Sequence, residues 1–324
     1  MRITLAQGSG GEETAKLIRD LFAAPLSNPI LDRAEDSAVV ELSGTVACST
    51  DSFVVTPLVF PGGDIGSLAV YGTANDLAMM GARPQYLTLG VIIEQGMETE
   101  LLARIAASIG EAAAAAGVAV IAADTKVVEG SGGLYLNTSG IGVIPPGRQV
   151  RACGCRPGDR VLVSGPLGNH HACILSARMG IDNQIRSDLA PLFPTVDALF
   201  EAGVSIHAMR DVTRGGLGTI LNELAAASGC GCALAEELLP VDADTRALCE
   251  ILGLDPMYMG NEGTFALAVP AADAERALSI LRRFRSGAAE IGEITADTRV
   301  ILRTRYGGSR ALPPLRGEGL PRIC

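Results

Sequence analysis

Five aspartates stand where apolar runs end. They are Asp36 in Glu-Asp-Ser-Ala-Val-Val, Asp51 in Ser-Thr-Asp-Ser, Asp76 in Ala-Asn-Asp-Leu-Ala, Asp124 in Ala-Ala-Asp-Thr-Lys and Asp211 in Arg-Asp-Val-Thr-Arg-Gly-Gly. A carboxylate in an apolar setting is costly unless it is paired or meets a cation. Converging carboxylates repel one another, and Mg2+ removes that repulsion. One such Asp alone reads as a helix cap or a turn; five together read as a magnesium–polyphosphate site. The leader Gly8-Ser9-Gly10-Gly11 precedes a helical pattern and can turn backbone N–H groups toward phosphate. It lacks the Gly-Lys-Ser/Thr of a P-loop and the preceding strand of a Rossmann fingerprint. A thiol, Cys324, closes the sequence behind a Pro- and Gly-rich approach, the expected composition of an unpacked tail. A mobile thiol suits a covalent carrier, because thiolate sulfur is a strong nucleophile near neutral pH.

Composition narrows the partners. The formal net charge is -10, which argues against nucleic acid and anionic membranes. An anionic ligand such as ATP then calls for a metal ion. Residues 1–7 show no signal-peptide pattern, and the longest uncharged apolar run, 112–123, is too short to span a bilayer. The expected compartment is therefore the cytoplasm, with the eight cysteines reduced. The Cys-Gly-Cys pairs at 153/155 and 230/232 have the wrong spacing for zinc and only three His to help them. Lys16 and Lys126 are the two lysines against 24 Arg. Where Arg is the default cation, a retained Lys points to ammonium geometry or a shiftable pKa. Lys126 follows Asp124-Thr125 at the end of an apolar run.

Several elements must position these groups. The pattern predicts a helix over 12–22, a hairpin of 38–42 with 45–50, and helices over 64–80 and 98–116. Strands are expected at 86–93, 118–123 and 134–144. Pro145-Pro146-Gly147 breaks the chain, giving an N-terminal domain over 1–150. A second domain over 151–305 mixes strands at 160–164, 264–269, 289–294 and 299–304 with five helices. Residues 306–324 form the tail, with Gly307-Gly308 as its hinge. Strands and helices mix without strict alternation, which favours α+β over a doubly wound sheet.

Asp51-Ser-Phe-Val-Val, Pro61-Gly-Gly-Asp-Ile-Gly, Asn75-Asp-Leu-Ala-Met-Met-Gly-Ala-Arg-Pro, Asp124-Thr-Lys-Val-Val, Asn137-Thr-Ser-Gly-Ile-Gly, Asp211-Val-Thr-Arg-Gly-Gly-Leu, Asn261-Glu-Gly and Pro321-Arg-Ile-Cys together resemble the HypE family across essentially the whole chain. That family comprises the carbamoyl dehydratases of nickel–iron hydrogenase maturation. The terminal Pro-Arg-Ile-Cys is the specific part. The Asp motifs alone fit the wider superfamily of aminoimidazole ribonucleotide synthetase, selenophosphate synthetase and thiamine-monophosphate kinase. The resemblance implies a two-domain aminoimidazole-ribonucleotide-synthetase-like α+β fold with a flexible C-terminal tail and a homodimer built through the N-terminal domain. It also implies a reaction. A carbamoyltransferase, HypF, loads Cys324; ATP phosphorylates the carbamoyl oxygen; loss of phosphate leaves a thiocyanate. The product goes to the HypC–HypD iron scaffold.

The residues expected to bind ATP are Gly8, Gly10, Gly11, Asp36, Asp51, Asn75, Asp76, Asp124, Thr125 and Asp211. Asp36, Asp51, Asp76 and Asp211 are expected to hold Mg2+. Lys126 is a candidate for charge stabilisation or proton abstraction, with Glu262 the alternative base. Gln7 stands where the family carries His, and Gly168-Asn169-His170-His171 replaces its Gly-Asp-His-Gly loop. Two other readings compete: a different ATP-dependent synthetase or kinase of the superfamily, and a non-catalytic thiol carrier or scaffold. The leader lacks the Cys of a selenophosphate synthetase, and the complete Asp set argues against an inert carrier.

Overall fold

The computed structural model describes residues 2–8, 11–35 and 37–315. The N-terminal half opens with α1 (Gly11–Leu17), a π-helical segment (Ile18–Ala23) and α2 (Ala24–Leu26). It continues through β1 (Thr45–Phe53), β2 (Val59–Phe60), β3 (Gly63–Asp64), α3 (Ile65–Met79), β4 (Arg83–Glu94), α4 (Thr99–Ala116), β5 (Ala119–Val128) and β6 (Leu134–Ile144). Four strands form one sheet in the order β1-β6-β4-β5. β4 and β5 run parallel and the other neighbours antiparallel.

The expected hairpin of 38–42 with 45–50 does not form. Residues 38–43 lie in no strand, and β1 pairs instead with β6, from Thr45 opposite Ile144 to Phe53 opposite Leu136. A nine-residue ladder satisfies more backbone groups than a short local turn could.

Helix α3 covers the inner face of this sheet. Asp64 starts it with a reciprocal cap: its Oδ1 accepts from Ser67 N at 2.9 Å, and Asp64 N donates to Ser67 Oγ at 3.1 Å. Gly81, at φ +72, follows its end. α3 is apolar on nearly every side and is buried almost throughout, because the sheet and α4 cover one flank and the second half of the chain covers another.

The second half holds β7 (Arg160–Val163), α5 (Asn169–Met179), α6 (Phe193–Glu201), β8 (Ala208–Asp211), α7 (Gly216–Ser228), β9 (Gly231–Ala235), α8 (Ala243–Leu252), β10 (Phe265–Val269), α9 (Ala271–Phe284), β11 (Ala289–Thr295), β12 (Val300–Arg303) and β13 (Ser309–Ala311). A mixed seven-stranded sheet runs β13-β12-β9-β11-β7-β10-β8. Apolar cores lie on both of its faces. The fold is α+β in two domains, and β8 abuts α3 at their junction.

The chain from 306 to 315 is seated, not free. β12 and β13 pair antiparallel around a turn containing Gly307 at φ +83. Leu312 is buried. Asn222 Nδ2 donates to Leu312 O at 2.7 Å, Tyr258 OH to Pro313 O at 2.7 Å, and Leu315 N to Thr219 Oγ1 at 3.4 Å. The sequence-based boundary at 306, and the hinge placed at Gly307-Gly308, therefore fall inside a paired hairpin, because β12 offers its open edge to β13.

Candidate active site

The domain junction gathers carboxylates from both halves. Asp51 lies on β1, Asp76 on α3 and Asp211 at the end of β8. Glu262 lies in the loop before β10. The pairing of β8 with β10 sets Asp211 opposite Phe265. Asn261 N then donates to Val212 O at 2.7 Å, and Val212 N to Thr264 O at 2.8 Å. These bonds fix the Glu262 loop beside Asp211. Ser49 Oγ, two residues before Asp51 on the same face of β1, donates to Asp76 Oδ2 at 2.6 Å. Beside the cluster is a cavity of about 360 Å³ lined by Asp76 and Asp211, with Cys48, Arg210, Thr213 and Arg214 among its walls.

Burial dominates the electrostatics here. Burial, and then the charge of Asp76, push the Asp211 carboxyl up to about 7. Glu262 lies well above the usual carboxylate range, through burial first and the charge of Asp211 next. Asp76 is raised by burial, partly offset by the Ser49 hydrogen bond, and Asp51 is raised by burial, partly offset by its hydrogen bond from Ser52 N. Each of these carboxyls therefore resists ionising beside its neighbours. That is the donor chemistry a hard divalent cation takes up, and such an ion would relieve the repulsion. Among the described residues, no three His, Cys, Asp or Glu side chains already close on one ion position. The described groups fit Mg2+ in kind, with oxygens from elsewhere completing the set.

A second group of the predicted residues lies apart. Lys126 Nζ pairs with Asp124 Oδ1 at 2.8 Å near the end of β5, both largely exposed. This pairing, through the Lys126 hydrogen bond, holds Asp124 below its ordinary value. Registers across the sheet run Asp51–Thr138–Leu89–Ala123 and Ser52–Asn137–Gly90–Asp124. Successive residues alternate faces, so Asp51 faces inward toward α3 while Asp124 shares the outer face with Ser52 and Asn137. The strands of Asp51 and Asp124 are also three spacings apart, about 14 Å. Thr125 sits between Asp124 and Lys126. Gly8 packs on this strand so tightly that a Cβ would lie 2.6 Å from Val127 Cβ. Gly11, at φ +74, begins α1. Gly10, Asp36 and Cys324 lie outside the described residues.

Asn75 makes its contacts inside the protein. Its Nδ2 donates to Ala190 O at 3.0 Å and Glu262 O at 3.4 Å, and its Oδ1 accepts from Leu192 N at 2.8 Å. It ties α3 to the second domain. Sequence reasoning missed Ser49, whose only signal was its i−2 spacing from Asp51. It also missed Asp188, which in Arg186-Ser187-Asp188-Leu189 reads as an ordinary loop acid.

Two domains with this sheet arrangement and a carboxylate cluster at their junction place the chain in the class of AIR synthase related proteins. Residues 34–144 match the family described as AIR synthase related protein, N-terminal domain, and residues 156–305 match its C-terminal domain. The carbamoyl dehydratase HypE of Azotobacter vinelandii is 49% identical over 331 residues, covering 99% of this chain and 97% of that protein. A crystal structure of the hydrogenase maturation protein HypE in complex with ATP matches with a TM-score of 0.95 at 44% identity, covering 99% of both chains. A HypE–HypF complex structure matches with a TM-score of 0.81 at 43% identity, covering 92% of this chain and 99% of that one. The chain belongs to the HypE family.

Proposed function

We propose that this protein dehydrates a carbamoyl group carried on the Cys324 thiol, using ATP, and leaves a thiocyanate that supplies cyanide to the iron of nickel–iron hydrogenase. The observation that carries the reading is the end-to-end likeness, at 44% identity, to a HypE chain in complex with ATP. The A. vinelandii relative is itself a carbamoyl dehydratase.

The chemistry balances. The thiocarbamate oxygen attacks the γ-phosphorus of ATP and ADP departs. The C–O bond then breaks, expelling phosphate, while the nitrogen sheds its protons and the C≡N bond forms. The sum is thiocarbamate plus ATP giving thiocyanate, ADP, phosphate and one proton. Amide oxygen is a poor leaving group, and phosphorylation corrects that. Glu262, buried beside Asp211 at the domain junction, takes a proton from nitrogen once a cation on the neighbouring carboxylates lets it ionise. Lys126 and Asp124 orient the nucleotide at the outer face, and Gly8 and Gly11 bring the leader's backbone against it. Magnesium held by Asp51, Asp76 and Asp211, with Asp36 joining them, would neutralise phosphate charge.

The partners belong to the same proposal. HypF loads the thiol, in keeping with the HypE–HypF complex, and the product passes to HypC–HypD. Two copies of the chain pair through the outer face of the four-stranded sheet, where Val46, Ile92, Val128 and Tyr135 stand exposed. The carrier thiol must stay reduced, which suits the cytoplasm.

The test is the mass of the Cys324 peptide after incubation with HypF, carbamoyl phosphate and ATP. The expected result is a carbamoyl adduct that loses one water only when ATP is hydrolysed. A carbamoyl adduct that persists through ATP hydrolysis would refute the dehydratase and favour an inert carrier.

A further inference from the structure

We propose that Asp188 is a positioning residue that holds Glu262 at the carboxylate cluster. The inference rests on the reading of Glu262 as the base. Asp188 follows α5 in a connecting segment and is buried. Its carboxylate meets four donors. Glu262 N donates to Oδ1 at 3.1 Å; Asn261 Nδ2, Gly263 N and Thr264 Oγ1 donate to Oδ2 at 3.0, 3.1 and 2.9 Å. Every residue from 261 to 264 thus binds one side chain. A carboxylate is the acceptor-only group that serves all four, whereas an amide would turn an NH2 against one of these donors.

Two further observations bear on the same loop. A Cβ on Gly263 would lie 1.9 Å from Asp188 O, so this backbone approach admits only glycine. Arg285, just past α9, donates from Nη2 to Asp188 O at 2.5 Å and sets Nη1 3.9 Å from Oδ2, giving the buried charge its counter-ion. Glu262 is therefore gripped at both backbone poles: its N–H by Asp188 and its carbonyl by Asn75. The grip comes from both domains and fixes the backbone from which the Glu262 side chain leaves beside Asp211. Such aim matters, because an ångström of misplacement at a reacting group costs about a hundred-fold in rate.

The experiment uses the full chain, loaded at Cys324 by HypF, and reads the single-turnover dehydration rate against ATP concentration. Asp188→Asn is expected to lower the saturated rate about a hundred-fold while half-saturating ATP moves less than about two-fold. The decisive readout is the double variant. In the Glu262→Gln background, Asp188→Asn should lower the residual rate no further, because both changes remove the same aimed group. A full rate in Asp188→Asn, or an equal loss in both backgrounds, overturns the positioning role and leaves Glu262 as base untouched. A full rate in Glu262→Gln alone sinks the base assignment and this inference with it. If Asp188→Asn does not fold, Thr264→Val removes one donor at nearly constant volume. It should slow turnover several-fold, and only when Glu262 is present; an unchanged rate overturns the proposal.

Discussion

Asp211 has its carboxyl raised from 3.8 to about 7, and that shift has a sign for stability. The group binds its proton more tightly folded than unfolded. Its contribution is whole below about pH 4 and is lost as pH rises through 7. The loss is on the order of 4 kcal/mol. Metal-free protein should therefore lose stability across that window, and Asp211→Asn should flatten the fall. Urea denaturation of both proteins at pH 5 and pH 8 checks this: equal slopes with pH would show that Asp211 is not the group responsible. Magnesium with ATP should raise the midpoint more at pH 8 than at pH 5. The two candidate bases separate in the same spirit. Arginine cannot give up its proton at neutral pH. Lys126→Arg should keep the dehydration rate within about ten-fold if Lys126 works through charge, while Glu262→Gln should lose most of it. A dead Lys126→Arg beside a working Glu262→Gln would exchange the roles.

Among the elements, the leader's seat on β5 yields the sharpest expectation. Gly8→Ala places a methyl 2.7 Å from Val127 N, so the leader must lift from the strand. Half-saturating ATP should rise about ten-fold with the melting temperature nearly unchanged, since little core is touched. Unaltered ATP affinity by calorimetry would detach the leader from nucleotide binding. Much of this level was legible beforehand. α3 declares itself through Asp64, Ser67 and Gly81 in one short stretch, and α4 through its Ala-rich run and Gly117. Of the five aspartates at the ends of apolar runs, Asp51, Asp76 and Asp211 meet at the junction, whereas Asp124 lies apart beside Lys126. What stayed hidden depends on distant partners. β1 takes its partner some ninety residues on, which no local pattern can announce. β8 and β9 are four and five residues long and blend into flanking apolar sequence. Asp188 acts on donors more than seventy residues away. Inward and outward placement of Asp51 and Asp124 follows from register, which sequence alone does not fix.

At the scale of the molecule, the outer sheet face should decide assembly. Ile92 stands in one row with Tyr135 and Lys126. In the dimer proposed above, Ile92→Asp would set a charge in the middle of the paired outer faces. It should yield a monomer by sedimentation and lose ATP turnover together with the dimer, while the fold survives. A dimer that persists would place the contact elsewhere. The seated hairpin end has its own consequence. Eight residues stand between Leu315, bonded to Thr219 on α7, and Cys324, so chain length alone keeps the thiol within about 30 Å of that root. One sulfur in a sphere of that radius is a local concentration in the millimolar range, set by the fold and not by the amount of protein. On the proposed carrier reading each molecule brings its own substrate, and the kinetics become those of a clock: the half-life of the loaded thiol should stay the same when the protein is diluted a hundred-fold, whereas a thiocarbamate supplied in solution would be consumed in proportion to the enzyme present.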